Sequence, residues 1–192
     1  MLNQSDKDRG NLIVGEPFFQ DKCNIKFHGK NGKIIFGKKV RLINVNINIY
    51  SDAEVVIGDD VTYRGTINCL EGCVVHLGNS LNCNGYLNIS AAEKSRIIIG
   101  DECLVSAATL RSSDMHGIFC EKTHARINKA KDIVIGRKVW LAQDVFILKG
   151  VCVGDNSVIA ARAVVAKDVP SGCIAAGNPA KIVRENIYWK NF

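Results

Sequence analysis

Residues 133–169, IVIGRKVWLAQDVFILKGVCVGDNSVIAARAVVAKDV, place an aliphatic side chain at every sixth position. Stepping by six from Ile135 gives Leu141, Ile147, Val153, Ile159 and Val165. Stepping from Val139 gives Val145, Val151, Ser157, Ala163 and Val169, every one small or β-branched. The residue after each anchor of the first series (Gly136, Ala142, Leu148, Gly154, Ala160, Ala166) is mostly small. An α-helix does not put every sixth residue on one face, and a plain strand repeats every second residue. A parallel β-helix does both jobs: about six residues make one short strand and one corner, and three such hexads close a coil of about 18 residues. The anchor points into a narrow core. The corner calls for Gly, Asn or Asp, because some φ angles there are positive or crowded.

The same turn marks the chain upstream, at Ile57-Gly58-Asp59, Leu77-Gly78-Asn79 and Ile99-Gly100-Asp101. From Ile57 to Leu77 is 20 residues and from Leu77 to Ile99 is 22, so these coils carry extra corner residues. Two registers fit there, Val75-Leu81-Leu87 and Leu77-Cys83-Ile89. The rhythm breaks in LRSSDMHGIFCEKTHARINKAKDI, residues 110–133, where Arg111, Gly117, Thr123 and Lys129 stand at anchor positions. Val105 to Ile135 is 30 residues, a whole number of hexads, so the solenoid resumes in phase after an outward excursion. The reading is one all-β domain over 1–192. Residues 1–50 form an N-terminal region with first irregular coils, 51–110 β-helix coils and 111–131 an extruded loop. Residues 132–175 form regular coils, and 176–192 a Gly-Asn-Pro turn followed by a short C-terminal helix as cap, since solenoids hide their open ends. Broad flat faces imply symmetric assembly.

With 47% hydrophobic and 23% charged residues, this is an ordinary soluble composition. No stretch reads as a signal peptide, and no apolar run approaches the roughly 18 residues of a membrane span, so a cytoplasmic chain without an integral membrane segment is expected. The eight cysteines form no CxxC pair, and Cys69, Cys73 and Cys103 stand where neighbouring repeats have Val or Ile. They read as reduced small hydrophobes, and no metal is expected. Much of the net charge of +6 lies between Lys22 and Arg41. No aromatic-interleaved basic motif accompanies it, so nucleic acid is not expected; a phosphate-bearing cofactor, an anionic substrate or plain solvated charge fits equally.

Residues 133–185, with their Val139-Trp140-Leu141-Ala142 turn and their AAGNPAK-I-R close, resemble the hexapeptide-repeat acyltransferases of left-handed parallel β-helix fold. The likeness is to the branch that O-acetylates sugars and polysaccharides, and it spans roughly residues 55–185. It implies direct acetyl transfer from acetyl-CoA to a saccharide hydroxyl in a homotrimer whose sites lie between subunits. A histidine on the excursion would take the hydroxyl proton, a task suited to a base with pKa near the working pH. A fixed backbone donor would hold the oxyanion.

By the same resemblance His116 is the base. Asp114 either fixes the imidazole tautomer or contacts the acceptor. His124 reads as a loop residue, His76 as a face position and His28 as solvated. Trp140, too large for the core, is a groove wall or a subunit-interface anchor. Gln143 matches the position whose backbone N–H meets the thioester region. Ala161, Ala166, Lys167, Lys181 and Arg184 match the coenzyme A track. Asn84, with Asn82 nearby, matches an acceptor contact, although asparagine also simply makes solenoid turns. Arg162 departs from the family's small A-G-S segment. The alternatives are N-acetylation of a nucleotide-linked amino sugar, disfavoured without a GxGxxG motif, and a non-enzymatic or zinc-binding β-helix, disfavoured by the histidine spacing.

Overall fold

The structure, a computed structural model, describes residues 4–190. They form a parallel β-helix with three faces. The first face is a seven-stranded sheet built from Leu12–Val14, Lys33–Phe36, Glu54–Ile57, Val74–Leu77, Arg96–Ile99, Ile133–Ile135 and Cys152–Val153. The second and third faces share one 13-stranded sheet, because Phe19–Phe27, Arg41–Ile49 and Thr62–Cys69 run unbroken through the edge between them. Further along, that edge becomes a turn. Asn82–Cys83, Leu104–Val105, Trp140–Leu141 and Val158–Ile159 then hold the second face, and Leu87–Ala91, Ala108–Arg111, Val145–Ile147 and Val164–Val165 the third.

Both hexad series are buried. The two registers that competed around residues 75–89 are both correct: Val75, Leu81, Leu87, Leu77, Cys83 and Ile89 are all at most 1% exposed. The physical reason is the strand period of two, which sends residues i and i+2 to the same side. Each face therefore fills the core with a pair of side chains per coil. Ile57, Leu77 and Ile99 pair in register despite their uneven spacing, and Ile99 pairs with Ile135 across the excursion. Cys69, Cys73, Cys83 and Cys103 lie in the core as free thiols, and burial pushes Cys69 and Cys83 up to about 12.

At the edge between the first and second faces, positive φ falls two residues after each glycine: on Lys39, Asp60, Ser80, Glu102, Lys138 and Asn156. The glycine is needed for closeness instead. A Cβ on Gly58 would lie 2.7 Å from Asn79 Oδ1 of the next coil. That close stacking builds a ladder, in which Asp59 Oδ1 accepts from Lys38 N–H at 2.7 Å, Asn79 Oδ1 from Asp59 N–H at 2.8 Å and Asp101 Oδ1 from Asn79 N–H at 2.6 Å.

The expected C-terminal helix is corrected by the structure. After Gly177 (φ 98°) the chain reverses, and Ala180–Arg184 pairs antiparallel with Ile174–Gly177. A helix there would leave the last coil's strand edge without a neighbour, and the returning strand covers it. Trp189 closes the cap by donating from Nε1 to Lys138 O at 2.8 Å. The one helix among the described residues is at the other end, Gln4–Asp8.

Candidate active site

The excursion occupies residues 112–132, between Ala108–Arg111 on the third face and Ile133–Ile135 on the first. It leaves from the edge between those faces and is held by two polar clusters. In the first, Asn128 is 8% exposed and turns its amide toward the segment around His116, its Oδ1 also accepting from Arg126 Nε at 3.3 Å. Its Nδ2 donates to His116 O and to Asp114 Oδ2, both at 2.7 Å, while its Oδ1 accepts from Ile118 N–H at 2.6 Å. Lys149, in the coil that follows, donates to Asp114 Oδ2 and, at 3.0 Å, to Asn128 O. In the second, Arg126 makes a bidentate pair with Glu93 at 2.7 and 2.8 Å, and Ser113 donates to the same carboxylate. The Arg126 guanidinium, then the Ser113 hydroxyl, hold Glu93 down to about 2.

Between these clusters Met115 adopts φ 64°, and the next residue, His116, projects into solvent. No side-chain hydrogen bond engages its imidazole among the described residues. Asp114 is turned away from it, toward Lys149 and Asn128, and the lysine, then the amide, lower its pKa from the ordinary carboxylate value. His124, also exposed, lies with φ 53° in the loop.

The other selected residues occupy different edges. Asn84 and Gln143 line a hollow of about 490 Å³ at the edge between the second and third faces, with Gly85, Ser106, Ala107 and Phe146. The floor is small residues and backbone, and the Gln143 N–H donates to no other group among the described residues. Ala161 is 18 residues beyond Gln143, one coil further along the same edge. Ala166 and Lys167 lie at the next corner, on the edge from which the excursion leaves. Lys181 and Arg184 are exposed on the returning C-terminal strand. Trp140 is half-buried on the second face, 6.1 Å from Trp189 between ring centroids and with Nε1 3.5 Å from Ser106 Oγ, which lines the hollow. Asn82 is on that face too, beside Trp189 in a separate depression. Arg162 takes φ 58°, the conformation that the family's glycine would favour, and is 3.9 Å from Asp144.

One chain therefore places Gln143, Ala161 and Asn84 on one edge, and His116, Ala166 and Lys167 on another. The sequence reading missed Asn128, Lys149, Glu93, Arg126 and Trp189. Asn128 was the one with a signal, as an asparagine where the excursion is otherwise lysine-rich. Among the described residues no three His, Cys, Asp or Glu side chains converge as metal ligands.

A β-helix of hexads, interrupted by one clamped excursion that presents a histidine, has the architecture of a hexapeptide-repeat acyltransferase. No family profile matches the chain. It is 38% identical over 127 residues to a polysialic acid O-acetyltransferase of Escherichia coli O1:K1 / APEC, across 66% of this chain and 41% of that protein. It is 36% identical over 169 residues to the polysialic acid O-acetyltransferase of Neisseria meningitidis, across 84% of this chain and 76% of the relative. The crystal structure of the polySia-specific acetyltransferase NeuO superposes with a TM-score of 0.90 at 36% identity, over 95% of this chain and 79% of that one. The chain belongs to the hexapeptide-repeat O-acetyltransferase family, and its solenoid is that family's left-handed parallel β-helix. It spans less than half the length of the E. coli relative.

Proposed function

We propose that the chain is an acetyl-CoA-dependent O-acetyltransferase acting on a hydroxyl of a cell-surface or capsule saccharide, or of its precursor, in the cytoplasm. The observation that carries this reading is His116: an exposed imidazole, free of side-chain partners among the described residues, on a segment that Asn128 grips at the His116 carbonyl, the Ile118 N–H and the Asp114 carboxylate. Acetyl-CoA supplies the activated acyl group. His116 takes the proton from the acceptor hydroxyl, which at neutral pH is otherwise a poor nucleophile. The free Gln143 N–H is a ready donor for a carbonyl oxygen, fixed in place before any charge develops on it. The hollow beside it suits a thin arm lying on backbone, since Gly85 and Ala107 leave it open. Lys167, Lys181 and Arg184, which make no ion pair among the described residues, suit phosphate. Asp114, held by Lys149 and Asn128, orders the loop, and its exposed carboxylate would be the acceptor contact.

The division of these groups over two edges favours a homotrimer in which His116 of one subunit faces the Gln143 edge of its neighbour. His116→Ala should lower acetyl transfer about 10²- to 10⁴-fold, the usual contribution of a positioned base. Release of free CoA with a panel of saccharides measures the rate, and calorimetry measures acetyl-CoA binding, which should stay unchanged. Activity retained in this variant would remove His116 from the role.

A further inference from the structure

The net charge is concentrated at one end of the solenoid. Residues 1–41 contain nine Lys or Arg against four Asp or Glu, five of the six net positive charges of the chain. Arg9 is paired with Asp6 and Lys33 with Glu54. The ammonium groups of Lys22, Lys26, Lys30, Lys38 and Lys39 make no ion pair among the described residues, and all five side chains are exposed.

The same end shows apolar side chains that the fold leaves uncovered. Among the described residues Leu12–Val14 and Phe19–Phe27 are the outermost strands, each with a strand neighbour on one side only. In their registers Leu12, Val14 and Phe19 match Lys33, Ile35 and Arg41 of the next coil and share their outward side. Leu12 is 47% exposed, Val14 42%, Phe19 46% and Phe18, at the corner between the two strands, 70%. Arg41 lies 5.8 Å over the Phe18 ring. These side chains project from the sides of the outermost coil, beside its open end.

We propose that this end of the prism docks on an anionic lipid surface. Phospholipid headgroups supply the negative charge that five free lysines attract, and the layer beneath takes up Phe18, Phe19, Leu12 and Val14 to a shallow depth. A second copy packed end to end would set one surplus of positive charge against another. A polyanionic saccharide would pair with the lysines and give the phenylalanines nothing to enter. In a parallel three-fold assembly the three N-terminal ends share one direction, so weak contacts multiply. The docking is independent of the acetyl-transfer chemistry, as none of these residues lies at the excursion or the Gln143 hollow.

The test is co-sedimentation of the full chain with phosphatidylcholine vesicles, with and without phosphatidylglycerol. Binding is expected only where phosphatidylglycerol is present, and should weaken as salt rises. Phe18→Ser with Phe19→Ser, and separately Lys38→Glu with Lys39→Glu, should each reduce binding at least about tenfold, against about fivefold for one basic residue. Circular dichroism checks that both variants fold, and CoA release with a soluble acceptor should match the wild type. Absent binding, equal binding to both vesicle types, or binding that the phenylalanine variant leaves intact would each overturn the proposal. So would soluble polysialic acid that binds through the same lysines while vesicles do not. A wild-type chain that binds vesicles but acetylates no saccharide would remove the proposed function and leave the docking standing.

Discussion

Asn128 holds the His116 carbonyl, the Ile118 N–H and the Asp114 carboxylate, and its own exposure is only 8%. A histidine whose side chain is free gains its aim from the backbone that carries it, and here that backbone includes Met115 in a left-handed conformation. Such a residue persists only where its surroundings over-determine it. Asn128→Ala removes the grip while leaving the Asp114–Lys149 pair in place. The expected outcome is a kcat about ten- to a hundredfold lower, the scale of loss that a 1 Å misplacement of a reacting group produces. KM for acetyl-CoA should stay near the wild-type value, and rescue by Asn128→Gln should be poor, since the longer amide cannot reach residues 114, 116 and 118 together. Steady-state kinetics at saturating acceptor would show this; a raised KM with unchanged kcat would mean a binding role instead. At this scale the sequence displayed His116, a histidine standing outside the repeat. It did not display the clamp, because Asn128 meets Asp114 across 14 residues and Lys149 meets Asp114 across 35. The excursion folding back on itself brings the first pair together, and the closed coils bring the second.

The excursion is fastened as an element by Glu93, which lies in the corner of the coil below it and takes both Arg126 and Ser113. The carboxylate is held near 2 against an ordinary 4.5, so the ionised form is the one the fold favours. A pKa depressed in the folded state contributes stability that is complete above the unfolded value, and that is lost as pH falls through the folded one. The fastening should therefore hold at neutral pH, weaken below about 4.5 and be lost as pH falls through about 2. A carboxyl titration followed by NMR should place the Glu93 midpoint near 2, and in Arg126→Ala the midpoint should move up toward the ordinary value. A midpoint already near 4.5 in the wild type would dismiss the fastening. The coils themselves were legible as elements because their period of six matches neither a helix nor a flat strand. The C-terminal segment was not. Ala180–Arg184 becomes a strand through its partner Ile174–Gly177, and a five-residue stretch carries too little periodicity to show that pairing.

The prism as a whole separates what the proposed chemistry needs together. Hexads deal successive residues to successive edges, so positions 18 apart share an edge and positions six apart do not. Gln143 and Ala161 thus fall on one edge, and Ala166, Lys167 and the base of the excursion on the next. Mixed assemblies test whether two copies complete one site. His116→Ala lacks the proposed base but keeps its Gln143 edge. Ala161→Trp keeps His116 but fills the track at an exposed position where the fold has room. Each variant alone should be inactive. When the two are unfolded and refolded together in equal amounts, a cyclic trimer draws the His116 side and the Ala161 side of each site from different subunits. Each side is intact with probability about one half, so about a quarter of the sites should be whole and about a quarter of wild-type activity should return. A site formed within a single subunit would give no recovery, because every subunit in the mixture carries one lesion. The mass of the refolded assembly, measured by light scattering alongside the activity, separates that result from a failure to assemble.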